Sequence, residues 1–203
     1  MTLTIVPEEF TLVLYDAAAV RAVFEEVAEA VGFPAAVPVS LEVDEELGQP
    51  LTGSYVDVRD GVLHLWYSGG NVEDTRQARH LDVARARREF AMGLLRGMDR
   101  LDEGFRDAPF DDELSDAQRA LWDVSAEGRA ERAGIPMRPD RARYVYRLAC
   151  GFTDEADAEY DRLRGGGTTS WADLATTAAR LAPNATPPRI GRRDDLRRRR
   201  GEG

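Results

Sequence analysis

The dipeptide Asp60-Gly61 sits between two stretches, Ser54–Arg59 and Val62–Tyr67, in which apolar and polar residues alternate. A two-residue connection needs positive φ at both positions to match the twist of its strands, and Asp-Gly tolerates that well. The pair predicts an antiparallel hairpin, so the fold must contain a sheet. Val39, Leu41 and Val43 alternate with Ser40 and Glu42, predicting a half-buried strand. Thr11–Tyr15 (TLVLY) is apolar with a β-branched start and predicts a first strand. Between those two strands the period changes to 3.6, with Val20, Val23, Phe24, Val27 and Val31 on one face. Asp16 can cap that helix, and Gly32 before Phe33-Pro34 ends it.

Downstream the pattern is helical. Asp82–Asp102 forms a long helix with Val83, Phe90, Leu94, Met98 and Leu101 toward the core, followed by Phe105. Its other face carries Arg85, Arg88, Glu89, Met92, Arg96, Asp99 and Glu103, which predicts a solvated surface. Asp107–Glu113 reads as a solvated acidic turn, because the Ca²⁺-loop glycine and terminal glutamate are missing. Ser115 with Gln118, and Ser170 with Asp173, form capping-box pairs that start two further helices. The first of these runs to Ala133 and buries Leu121 and Trp122; shorter helices span Asp140–Cys150 and Thr153–Leu163. Glycine precedes an apolar residue at Gly32-Phe33, Gly104-Phe105, Gly134-Ile135 and Gly151-Phe152, as at helix ends where the next side chain packs back. GGGTTS at Gly165–Ser170 reads as a linker.

The expected architecture is α+β. It has an N-terminal β-α-β-β-β unit with a small, mostly antiparallel sheet packed on the long helix, then a helical C-terminal half. In domain terms, residues 1–135 form the α+β unit, 136–183 a helical extension packed on it, and 184–203 a disordered Arg-rich tail.

Composition narrows the chemistry. All 27 basic residues are arginine. With no lysine, a Gly-Lys-Ser/Thr phosphate loop, a Schiff-base lysine and the kinase lysine are excluded. Residues 184–203 hold seven arginines against three acidic residues, a net +4, which leaves −14 on the body of a chain whose net charge is −10. An acidic body repels duplex phosphates, so no specific nucleic-acid binding is expected; the tail alone can attract polyanions. The helix pair 153–163 and 170–181 is similar to a helix-turn-helix, but its second helix offers only Arg180 for readout.

No apolar stretch is long enough to span a bilayer, and MTLTIVPEEF lacks the regions of a secretory leader. The single cysteine, Cys150, excludes an internal disulfide and suits a cytoplasmic location. Cys150 reads as a small buried hydrophobe at a helix end. His64 reads as a sheet-face residue and His80 as a helix-entry residue; neither has a ligand spacing. No catalytic, cofactor or metal residues are nominated, and the expected class is a non-catalytic protein acting through contacts with a protein partner. The alternative is an enzyme with a carboxylate and arginine site at Glu89, Arg96 and Asp99.

The order strand, helix, three strands and long helix resembles the minimal zincin metallopeptidase scaffold, over roughly residues 10–135. In that family the long helix carries His-Glu-x-x-His. The resemblance implies Met92 in place of the first histidine, Gly93 in place of the glutamate and Arg96 in place of the second histidine. A third ligand would fall at Asp102 or Glu127. It therefore implies an inactive relative, with Glu89, Met92, Arg96, Asp99 and Glu127 as the candidate functional face. Met92 and Arg96 are expected on one side of a helix packed against the strand of His64, with no metal between them and with Arg96 paired to Asp99 or Glu127.

Overall fold

The computed structural model describes residues 1–167 and 169–185. The basic tail expected from residue 184 lies, from 186 onward, outside the described residues.

The hairpin forms where Asp60-Gly61 predicts it. Strand β3 (Ser54–Arg59) pairs antiparallel with β4 (Val62–Ser68), and Asp60 and Gly61 take φ of 51° and 75°. Strand β2 (Val39–Asp44) also lies where its alternation places it.

The first strand does not. Strand β1 is Leu3–Val6, with Leu3 and Ile5 buried, whereas Thr11–Tyr15 forms a bent segment. In that segment Leu12 is 51% and Leu14 69% exposed. Its backbone is taken up elsewhere: Glu45 accepts from Thr11 N and Leu12 N, and Leu14 N donates to the Arg79 carbonyl. A β-prone composition lost to a neighbour whose two apolar side chains could reach the core.

The sheet is mixed rather than mostly antiparallel. Its order is β1-β2-β4-β3, with β1–β2 and β2–β4 parallel and only β3–β4 antiparallel. Helix α1 (Ala17–Ala30), capped by Asp16, is the crossover that makes β1 and β2 parallel. β4 takes the inner position because Leu63, Leu65 and Tyr67 are all deeply buried. β3 carries Ser54, Asp57 and Arg59, which suit an edge.

Helix α2 (Val83–Leu101) packs its apolar stripe on α1 and the sheet, with Phe90 edge-on to both Phe24 and Tyr67. Val83 and Leu101, expected in the core, are exposed at the two helix ends. Helix α3 (Asp116–Arg132) covers the opposite side of α2, so Arg96 and Asp99 are buried and the helix has no solvated face there.

α3 starts at the Ser115–Gln118 capping box and lies between two hydrophobic clusters. Ala126 and Ala130 join the sheet-side core, while Leu121, Trp122 and Val124 join a second core. The second core includes helices α4 (Pro139–Cys150), α5 (Asp154–Arg164) and α6 (Trp171–Leu181). Gly128 lets α5 close on α3, since a Cβ there would lie 2.2 Å from the Arg164 carbonyl oxygen.

At Gly32 and Gly134 the following Phe33 and Ile135 are buried, and their N–H groups reach back to Ala28 and Ala130. Phe152 is exposed instead, and Gly104 belongs to a short 3₁₀ turn. No helix among the described residues is long and apolar enough to cross a membrane.

Candidate functional site

Where α3 and α4 diverge from α2 and the start of β3, they leave a cleft of about 470 Å³. Four of the five residues nominated from sequence line it: Glu89, Met92 and Arg96 from α2, and Glu127 from α3. Asp99 is not among the lining residues. It accepts from Trp122 Nε1 at 2.6 Å and from Arg129 at 2.7 Å, inside the α2–α3 contact. His64 shares β4 with Leu63 and Leu65 but lies on the alternate sheet face, away from α2.

The partner of Arg96 is Asp111, not Asp99 or Glu127. The Arg96 and Arg100 side chains are 5% and 7% exposed, and both guanidinium groups bond to Asp111. Asp111 also faces Arg119 at 3.8 Å and accepts from Val56 N at 3.1 Å. Arg96 and Arg100 stack over Trp122 at 4.8 and 5.1 Å from the ring centre. The acidic turn expected to be solvated thus sends one carboxylate into the core, where it gathers three arginines and caps an outward N–H of the edge strand. Nothing in DAPFDDE distinguishes Asp111 from Asp112, because the arginines that select it come from α2 and α3.

Gly93 faces Tyr67: a Cβ there would lie 2.0 Å from Oη, and the phenol donates to the Glu89 carbonyl at 2.9 Å. The α2 carboxylate that reaches the cleft is Glu89, which accepts from Asn71 Nδ2 at 3.0 Å. Burial pushes the Glu89 carboxyl above its usual range, opposed by Arg85 and by the Asn71 bond. Burial raises Asp123 as well, and pushes Glu127 up to about 7 against the pull of Arg164 at 3.0 Å.

The other end of the cleft is cationic. Arg85 and Arg88 approach from α2, Arg138 and Arg141 from the start of α4. Burial lowers the Arg88 pKa, and the nearby Arg138 charge lowers it further. The sequence showed Arg85 and Arg88 on one helical face, but α4 alone brings Arg138 and Arg141 opposite them.

Among the described residues no group of three His, Cys, Asp or Glu side chains is placed to hold a metal ion. His80 is exposed beside the Ala78 carbonyl. Cys150 is buried in the helical core, where burial pushes its thiol up to about 12. Comparison with family models, curated proteins and solved structures found no match to the chain.

Proposed function

We propose that this chain is a non-catalytic binding protein on a zincin-like scaffold, with the cleft over α2 as the place where its partner engages. The carrying observation is that the α2 face lining this cleft presents arginine and methionine where peptidase chemistry needs imidazole.

The orientation of Gly93 favours a register different from the one suggested by sequence. Met92, Gly93 and Arg96 line the cleft, but a side chain at position 93 would run into the Tyr67 hydroxyl; Arg88, Glu89 and Met92 have the same spacing, line the cleft as well, and place a carboxylate second. In that register Glu89 stands for the family's glutamate, while a guanidinium and a thioether replace the two imidazoles. A permanent cation repels Zn²⁺ and a thioether is a weak ligand for it, so Glu89 has no metal-bound water to activate. A single buried cysteine fits a reducing cytoplasm, where we place the protein.

Calorimetric titration of the full chain with ZnCl₂ tests this. The expected result is no stoichiometric site in the natural sequence and a gain of zinc affinity in R88H/M92H, with Glu127 as an additional oxygen ligand. A sub-micromolar zinc site in the natural sequence would sink the non-catalytic reading. A folded R88H/M92H protein that gains no affinity would remove the zincin resemblance and leave the binding role.

A second reading draws on Glu127, whose pKa near 7 suits general acid–base work. It requires turnover of a chromogenic ester or phosphomonoester that E127Q lowers by about a hundredfold. Absence of turnover excludes it for those substrates.

A further inference from the structure

Most arginines in the described residues are satisfied by a carboxylate or a carbonyl. The five whose guanidinium groups make no ion pair or hydrogen bond there are Arg76, Arg85, Arg88, Arg138 and Arg141, and four of these line the cleft. The chain carries a net charge of −10, yet these four guanidinium groups gather in one cleft without a direct carboxylate contact among the described residues. We infer that the arginine end of the cleft, formed by Arg85, Arg88, Arg138 and Arg141, binds a doubly charged tetrahedral oxyanion, the phosphate group of a small molecule or of a phosphorylated partner side chain. The inference rests on the cleft being the binding site, as proposed above, but not on the zincin-like ancestry.

The charge arithmetic selects the ligand class. Arg88 and Arg138 repel each other, and Arg85 adds a third cation next to Arg88. Glu89 and Asp82 offset part of this charge, yet Glu89 is already held by Asn71, and Asp82 caps α2 by accepting from Arg85 N at 2.9 Å. The remaining cleft acids are engaged too: Glu127 pairs with Arg164 at 3.0 Å, and Asp123 faces Arg96 at 3.5 Å.

Four guanidinium groups against Asp82 and Glu89 leave two positive charges, of which a lone carboxylate would match one. A phosphate monoester supplies about two charges and three acceptor oxygens, which suits several planar guanidinium donors. The start of α4 reaches this end of the cleft through Arg138 and Arg141.

An extended peptide is the poorer occupant. Pairing along the edge of β3 would need the Val56 and Val58 N–H groups, which are taken by Asp111 and Asp57.

The test is calorimetry on the full chain at low ionic strength, with sodium phosphate as the first probe and sodium succinate as the second. Phosphate should bind at one site, succinate about tenfold more weakly. R88A and R138A should each lower phosphate affinity by about tenfold, whereas R76A, which removes an unpaired arginine outside the cleft, should leave it unchanged. Arg138 is exposed, so R138A provides a reading even if R88A disturbs the helix.

A phosphoserine peptide and its unmodified form distinguish the sources. Tighter binding of the phosphopeptide than of inorganic phosphate assigns the group to a protein partner; weaker binding assigns it to a small molecule. Absence of phosphate binding, equal binding of succinate, or losses in R88A and R138A no larger than in R76A would each overturn the inference. Zinc titration separates the two proposals. Phosphate failure with no zinc site leaves the non-catalytic reading standing, and a zinc site with phosphate binding intact does the reverse.

Discussion

Asp111→Ala should be among the most damaging single substitutions in this protein. Among the described residues it removes the only charged acceptor of Arg100 and the main acceptor of Arg96, both almost fully buried, and leaves Val56 N without its partner. Breaking a buried ion pair by deleting one side costs about 3–5 kcal/mol, because the remaining charge stays desolvated. An orphaned buried N–H adds about 1–3 kcal/mol, although water entering the new cavity would recover part of the sum. A net loss of roughly 4–6 kcal/mol is a large fraction of the 5–15 kcal/mol that typically holds a domain folded. For a chain of this length it corresponds to a fall in Tm of roughly 10–20 °C.

Asp111→Asn keeps an acceptor for Val56 N and the side-chain volume but not the charge, so it should lose about half as much. The assay is urea unfolding followed by far-UV circular dichroism, with the denaturant slope checked for constancy between variants. A loss below about 1 kcal/mol for Asp111→Ala would show that this buried network does not hold α2 and α3 to the edge strand.

Other perturbations give separable outcomes. Gly93→Ala should cost about 1–3 kcal/mol by driving a methyl group into the Tyr67 hydroxyl, and Tyr67→Phe in the same chain should return part of that loss in a denaturation cycle. Glu127 has a folded-state pKa raised by burial from 4.5 to about 7, so the native state holds the proton more tightly than the unfolded chain does. Its contribution is therefore fully present below pH 4.5 and is lost as pH rises toward 7; Glu127→Gln should flatten the stability–pH curve over that window and raise stability at pH 8. Cys150 should react with an aromatic disulfide reagent only as fast as the helical core opens, and immediately in denaturant; rapid reaction of the native protein would contradict its burial.

Local chemistry decided a good deal of the architecture. The Asp60-Gly61 turn, the capping boxes at Ser115 and Ser170 and the periodic faces of α1 and α2 involve residues a few positions apart, whose preferred conformations survive folding. The choice of first strand was not local in this sense. TLVLY is the stronger β sequence, but LTIV is the segment from which two apolar side chains reach the core beside β2. The sheet order likewise depended on which hairpin strand could be buried next to β2.

The site divides the same way. The sequence alone placed Glu89, Met92 and Arg96 along one helix and Glu127 on the next, because helical spacing is a property of the backbone. It could not show that Asp111 rather than Asp99 would pair with Arg96, that Gly93 would face Tyr67, or that Arg138 would come to lie beside Arg88. Those outcomes join segments 15 to 50 positions apart. The interactions responsible are desolvation, close packing and charge repulsion, which take their values only once the elements enclose a shared, water-poor space.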